Sequence, residues 1–277
     1  MARRIGDVPD MFLQGLMTKL NRRAWMPRLL IGAVILAVAA TFFVATVSID
    51  ERKITPRDKL WRFVDDVLLG TSFPEQEEVI TRWTHSPTVS LLFPAGEDAG
   101  KRDEKLFRSV VSEINDVLEN TGYELQYIGK NKKPSDIIFV VSPQEYFRYF
   151  AKNLGVSDEE NLVILEKSLD FYTFNLNEDY SIAKAVAVVS ADIPRSQRRA
   201  VMLYELLQAL GFHNSSPACP SSIYNRPDSQ TVTGERLANV DREVLRFLYT
   251  QLEPGDTWVP VWKAFQGLEP KPYGCIQ

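Results

Sequence analysis

The stretch LLIGAVILAVAATFFVATVSI, Leu29 to Ile49, contains no charged side chain, and this feature constrains the chain more than any other. About twenty consecutive apolar residues form a helix long enough to cross the hydrocarbon core of a bilayer. A cleaved signal peptide is the rival reading, but its apolar region runs to about 7–15 residues, and Ala45-Thr46-Val47 is a poor cleavage site. The sequence therefore predicts an uncleaved, single-pass anchor over 29–49, with residues 1–28 as a cytoplasmic tail. Arg3, Arg4, Lys19, Arg22, Arg23 and Arg28 before the span nearly balance Arg52, Lys53, Arg57, Lys59 and Arg62 after it, so the positive-inside rule does not fix the orientation. A short tail ahead of a long domain is the plan of a signal anchor that exports its domain. In the tail, Phe12, Leu13, Leu16, Met17 and Leu20 share a helical face beside Lys19, Arg22 and Arg23, the pattern of an amphipathic helix lying on a membrane surface.

Beyond the span, 45% hydrophobic and 25% charged residues over the whole chain fit a globular domain. A net charge of −4 gives no support to a nucleic-acid partner, and the short basic run GKNKKPSD reads as a solvated turn. TPRDKLWRFVDDVLLG predicts a helix with Thr55 as cap, Pro56 in the first turn and Gly70 at its end. Its apolar stripe is Leu60, Phe63, Val64, Val67 and Leu68. We expect this helix and a linker over 50–79, a globular domain over 80–256 and an aromatic-rich segment over 257–277. Within the domain, SPTVSLLF, YELQYIG, SDIIFVVS, DFYTFN and KAVAVVS read as strands, the last two as a hairpin across LNEDYS. Helices alternating with the early strands predict an α/β fold with a mostly parallel sheet. The edge strand would be DFYTFN, with Phe171, Tyr172, Thr173 and Phe174.

The segment YELLQALGFHN (204–214) raises the functional question. In RRAVMLYELLQALG, the residues Val201, Met202, Leu203, Leu206, Leu207 and Leu210 give an ordinary core helix, and Gly211 closes it. The same segment also has the outline of H-E-x-x-H-x-x-G-x-x-H, in which histidines grip zinc and the glutamate activates a metal-bound water. Glu205 and Gly211 stand in place, while the ligand positions are Tyr204, Gln208 and Asn214. With only two histidines, His85 and His213, three-histidine ligation within one chain is impossible. Tyr204 and the Gln208 amide suit zinc poorly, since zinc takes imidazole, thiolate and carboxylate. Pairing Glu205 with Asp192 or Asp241 for glycoside hydrolysis has no spacing to support it. Ser215, Ser216, Ser221 and Ser222 lack a nucleophile-elbow setting. No phosphate loop or dinucleotide fingerprint occurs.

Downstream, Ser222-Ile223-Tyr224 is followed by Leu237, Asp241, Leu248 and Tyr249. With the helix motif, this order resembles the metzincin clan of zinc peptidases, Tyr224 standing where a turn methionine would be. Ala238 departs from that clan's capping Ser or Thr, so Asn239 is expected to cap the closing helix. E-x-x-Q-x-x-G, Ser222-Ile223-Tyr224 and LYTQLEPGD are also similar to an uncharacterised family of bacterial exported proteins related to the clan. The resemblance covers about residues 80–256. It implies a zincin-like domain in a Gram-negative periplasm, with Glu205 vestigial and no metal or other cofactor. Tyr204, Glu205, Gln208, Asn214 and Tyr224 would line a cleft beside the edge strand. The expected role is a pseudopeptidase that binds a protein or peptide without cutting it. Alternatives are a structural subunit of an envelope complex with an idle cleft, or a hydrolase with ligands rebuilt from Glu205, His213 and His85. Cys219 and Cys275 permit one disulfide, in keeping with an oxidising compartment. If bridged, they would hold TWVPVWKAFQGL over the domain.

Overall fold

A computed structural model describes residues 55–70, 77–93, 100–132, 134–226, 234–268 and 275. Residues 1–28 and the apolar stretch Leu29–Ile49, with the readings made for them, lie outside these residues. Among the described residues no helix is long and apolar enough to cross a membrane.

Helix α1 (Pro56–Val64) starts as the sequence indicates. The Thr55 hydroxyl accepts from the Asp58 N–H at 3.1 Å and the Asp58 carboxylate accepts from the Thr55 N–H at 2.8 Å, the reciprocal pair that satisfies otherwise orphaned donors. The chain then widens into a π-turn, Asp65–Leu69, ending at Gly70. Val67, Leu68 and Leu69 are all buried here. The wider turn leaves the Val67 carbonyl to accept from the His213 N–H at 2.7 Å. Gly70 is required by space, since a Cβ there would lie 2.3 Å from the Asp66 carbonyl oxygen and 2.6 Å from Asn214 Nδ2.

Strands β1 (Thr88–Leu92), β2 (Gln126–Lys130), β3 (Ile137–Ser142), β4 (Asp170–Leu176) and β5 (Ile182–Ser190) form one sheet in the order β2-β1-β3-β5-β4. The β1–β2, β1–β3 and β3–β5 pairs are parallel, and β4 runs antiparallel to β5 at the edge. β2 begins later than YELQYIG suggests. The Asn115 side chain bonds both the N–H and the carbonyl of Leu125, at 2.8 and 3.0 Å, and holds that residue in the turn.

The described residues include seven α-helices around this mostly parallel sheet. On one face, α2 (Gly100–Leu118), α5 (Arg195–Gln208) and α6 (Asn239–Gln251) share the main core with α1 and the inward residues Phe139, Val141, Ala187 and Val189. On the other, the short 3₁₀ turn Gln144–Tyr146, α3 (Phe147–Asn153) and α4 (Glu159–Lys167) accompany a smaller core of Val140, Phe147, Ala151, Leu162, Phe171 and Val188. Residues adjacent in β3 and β5 thus feed opposite cores, which explains why both strands read as nearly continuous apolar runs.

The expected domain boundaries shift outward. The unit containing the sheet is compact from Thr55 onward. The stripe of α1 cannot remain in water, and it is buried against the globular domain, in the main core. At the other end, α7 (Trp258–Gln266) buries Val261 and Phe265 in the same core. Cys219 and Cys275 are joined in a disulfide. The cap of α6 also differs from expectation. Asn239 is the first helical residue and Ala238 the cap position, where the Asp241 carboxylate, three residues into the helix, accepts from the Ala238 N–H at 2.9 Å.

Candidate functional site

Helix α5 lies between the sheet and the other main-core helices, so Val201 through Gln208 are all buried, polar side chains included. Tyr204 and Gln208, four residues apart, project together as a helix requires, and Gln208 Nε2 donates to the Tyr204 hydroxyl at 3.3 Å. Gly211 then turns the chain at φ 111°, and any side chain there would place its Cβ 2.1 Å from the Thr81 carbonyl oxygen. The turn brings His213 back over the helix, where its carbonyl accepts from Gln208 Nε2 at 3.3 Å and from the Tyr172 hydroxyl at 3.4 Å. The His213 ring contacts Phe174 at 5.5 Å and shares a 2.8 Å hydrogen bond with Thr81 Oγ1. Burial holds its pKa down to about 4, so the ring is neutral near pH 7.

Tyr224 lies under this layer. Its ring packs on Tyr204 at 4.7 Å and Phe212 at 5.2 Å, and its hydroxyl donates to the Tyr204 carbonyl at 3.2 Å. The turn that carries it is fixed by Asp241, which accepts from the Ser222 hydroxyl at 2.5 Å and the Ile223 N–H at 3.2 Å. The structure therefore brings Tyr204, Gln208, the His213 backbone and Tyr224 together. Asn214 places its amide against Gly70. On β4, the residues named for the edge divide between faces, as period two demands. Tyr172 and Phe174 turn toward His213, while Phe171 packs on Phe147 in the smaller core at 5.3 Å.

Charge enters through residues that sequence reading did not single out. Asp170 shares the Tyr172–Phe174 face, and Arg226 follows the Tyr224 turn. The Arg226 guanidinium stacks on the Tyr204 ring at 4.4 Å and lies 3.4 Å from Asp170 Oδ2. Glu205 is 1% exposed, and its Oε2 has no hydrogen-bond partner among the described residues. Burial pushes the Glu205 carboxyl well above its ordinary range; the nearby Asp170 charge adds to this and Arg226 opposes it. Burial also raises Asp170, against the pull of Arg226. One guanidinium thus serves two buried carboxyls, and burial raises both of them, Glu205 the more. A carboxylate in a half-exposed edge strand, two and four residues before aromatics on the same face, is the signal that could have identified Asp170. Nothing local marks Arg226.

This arrangement does not fit the zinc that the resemblance would otherwise imply. Among the described residues, no three His, Cys, Asp or Glu side chains converge as a metal would require. The rebuilt set of Glu205, His213 and His85 is not assembled: His213 bonds Thr81, while His85 stands 3.7 Å from Asp136. The proposed carboxylate pairs fail likewise. Asp192 accepts from the Gln144 N–H at 2.9 Å, and Asp241 is occupied by its turn.

Residues 59–266 match the family DUF2927, described as a protein of unknown function, and the chain belongs to that family. The matched range starts inside α1 and ends at the last residue of α7, so it takes in most of α1 and all of α7, which lie outside the 80–256 boundaries. No curated protein matches the chain.

Proposed function

We propose that the protein is a membrane-anchored, non-catalytic binding domain of zincin-like architecture, held outside the bacterial inner membrane by Leu29–Ile49. Three features support the architecture: the antiparallel edge strand, the long helix that follows the hairpin, and the Ser222–Tyr224 turn braced by Asp241. The single observation that carries the functional reading is the replacement chemistry on α5. Neutral Tyr204 and Gln208 bond each other, and Arg226 supplies a cation from the protein itself. Where the resembling clan holds its metal, hydrogen bonds and aromatic contacts stand here.

Binding then falls to the sheet edge. No strand borders the outer side of β4 among the described residues. The Ser190 N–H donates to the Leu169 carbonyl at 2.8 Å. Antiparallel alternation therefore directs the main-chain groups of Phe171 and Thr173 inward and those of Asp170 and Phe174 outward. An extended segment of a protein partner would add there as a further strand. The closure between Tyr172 and His213 favours a second reading, a structural subunit whose cleft is idle.

A photocrosslinking amino acid placed in cells at exposed Asn175 on β4, or at Ile164 on α4, separates the readings. Edge binding expects one defined adduct at 175. Hydrogen exchange with the purified partner should then protect the Phe174 amide and leave that of Thr173 unchanged. Adducts at 164 alone would favour the subunit reading. Glu205-dependent peptide cleavage would overturn both.

A further inference from the structure

The sequence of α7, WVPVWKAFQ, divides its apolar residues between two environments. Val261 and Phe265 are buried, while Trp258 is 44% and Val259 52% exposed. Trp258 and Trp262 stack at 5.8 Å, and Trp61 of α1 meets them edge-on at 5.5 and 4.6 Å. The result is a rigid indole cluster facing water on one side. The same two helices carry Arg57, Lys59 and Arg62 (α1) and Lys263 (α7). Of the acids nearby, Asp58 is bound into the Thr55 cap, Glu253 pairs with Arg82, Asp256 accepts from the Glu253 N–H and Asp66 from the Ser216 hydroxyl, while Asp65 follows one turn beyond Trp61.

The chain itself locates this face. Only residues 50–54 separate Ile49 from Thr55, a reach of at most about 20 Å fully extended. The Arg57 guanidinium donates to the Gln266 carbonyl at 2.8 Å, so the start of α1 lies beside the end of α7. From Gln266 back to Trp258 is about 12 Å along the helix. A domain of this size is roughly 40 Å across. The tether therefore favours the α1–α7 side over any surface on the far side of the sheet.

We propose that the α1–α7 face docks on the surface of an anionic phospholipid bilayer. Trp258, Val259 and Trp262 enter the headgroup region, and Arg57, Lys59, Arg62 and Lys263 meet lipid phosphates. Indole rings settle at that depth because they have an apolar body and a polar N–H. Basic side chains near an anionic surface add attraction that salt screens. The inference rests on the reading of Leu29–Ile49 as a membrane anchor.

The test uses the full chain in vesicles of phosphatidylglycerol and phosphatidylethanolamine. Both native cysteines are in the disulfide, so Val259→Cys and Ile164→Cys each offer one thiol for a nitroxide. Ile164 is 63% exposed and lies on the α3–α4 side. Docking expects a several-fold higher ratio of oxygen to nickel-complex collision at 259 than at 164, reduced by R62E/K263E and by high salt. Equal, water-like ratios in protein that resists alkaline carbonate extraction would overturn docking and leave the anchor standing. Protein released by carbonate would refute the anchor, and the docking inference with it. A deeper label at 164 would assign the membrane to the α3–α4 face and overturn the proposal. Spin–spin broadening at 259 would do the same in favour of a second copy of the chain.

Discussion

Glu205→Gln exchanges one carboxyl oxygen for an amide nitrogen at a position 1% exposed, whose Oε2 lacks a hydrogen-bond partner among the described residues. Because the folded carboxyl titrates well above 4.5, the native state keeps a proton that the unfolded chain has released. Stability from this group is fully present below the unfolded value and is lost as pH rises toward the folded one. Inside that window the slope reaches at most about 1.4 kcal/mol per pH unit for one proton. The amide cannot ionise, so Glu205→Gln should remove this slope. Near pH 4 the two proteins should agree within about 1 kcal/mol, since shape and charge are then alike. Glu205→Ala should cost about 2–4 kcal/mol near pH 4, because it opens a cavity in a packed layer, and less as pH rises, because it too removes the slope. The assay is urea unfolding of the full chain in detergent, followed by tryptophan fluorescence from pH 4 to 8. Asp241 and His213 titrate in both proteins, so the difference between the two curves isolates Glu205 and its coupling to Asp170. Parallel curves above pH 4.5 would refute a Glu205 carboxyl raised by burial.

The remaining expectations use the same site. His213 has an ordinary value of 6.5 and a folded value of about 4, so about 3 kcal/mol of stability should be lost as pH falls across that interval, and His213→Gln should flatten that part of the profile. Arg226→Met leaves the buried Asp170 without its cation and should cost about 3–5 kcal/mol near neutral pH, less in acid where Asp170 is protonated; a uniform loss at all pH values would contradict this. Gly211→Ala forces a Cβ to within 2.1 Å of a carbonyl oxygen and should lower stability by about 3 kcal/mol or more, read as a fall in Tm. Cys219→Ser opens a loop of sequence separation 56 and should cost up to about 4 kcal/mol, a loss that reduction of the wild type should reproduce.

Much of the fold was legible in the sequence because local physics wrote it there. Period-two and period-3.6 patterning located the hairpin and α5, Thr55 and Pro56 marked the start of α1, and Gly211 marked the turn over the helix. Residues four apart on α5 had to share a face, so the pairing of Tyr204 with Gln208 was available from spacing alone. Tertiary structure decided the rest. Whether α1 and α7 belonged to the domain depended on which surface their apolar stripes could cover, and that surface is built by residues far away in the chain. The π-turn was invisible because the partner of its Val67 carbonyl, the His213 N–H, is brought there only in the packed state. The charge at the site was hidden for the same reason. Asp170 and Arg226 lie in separate segments, and only burial beside Glu205 and the Tyr204 ring makes one guanidinium the counter-charge for two carboxyls. A sequence records which groups can ionise; the low-dielectric layer formed by folding decides which of them do.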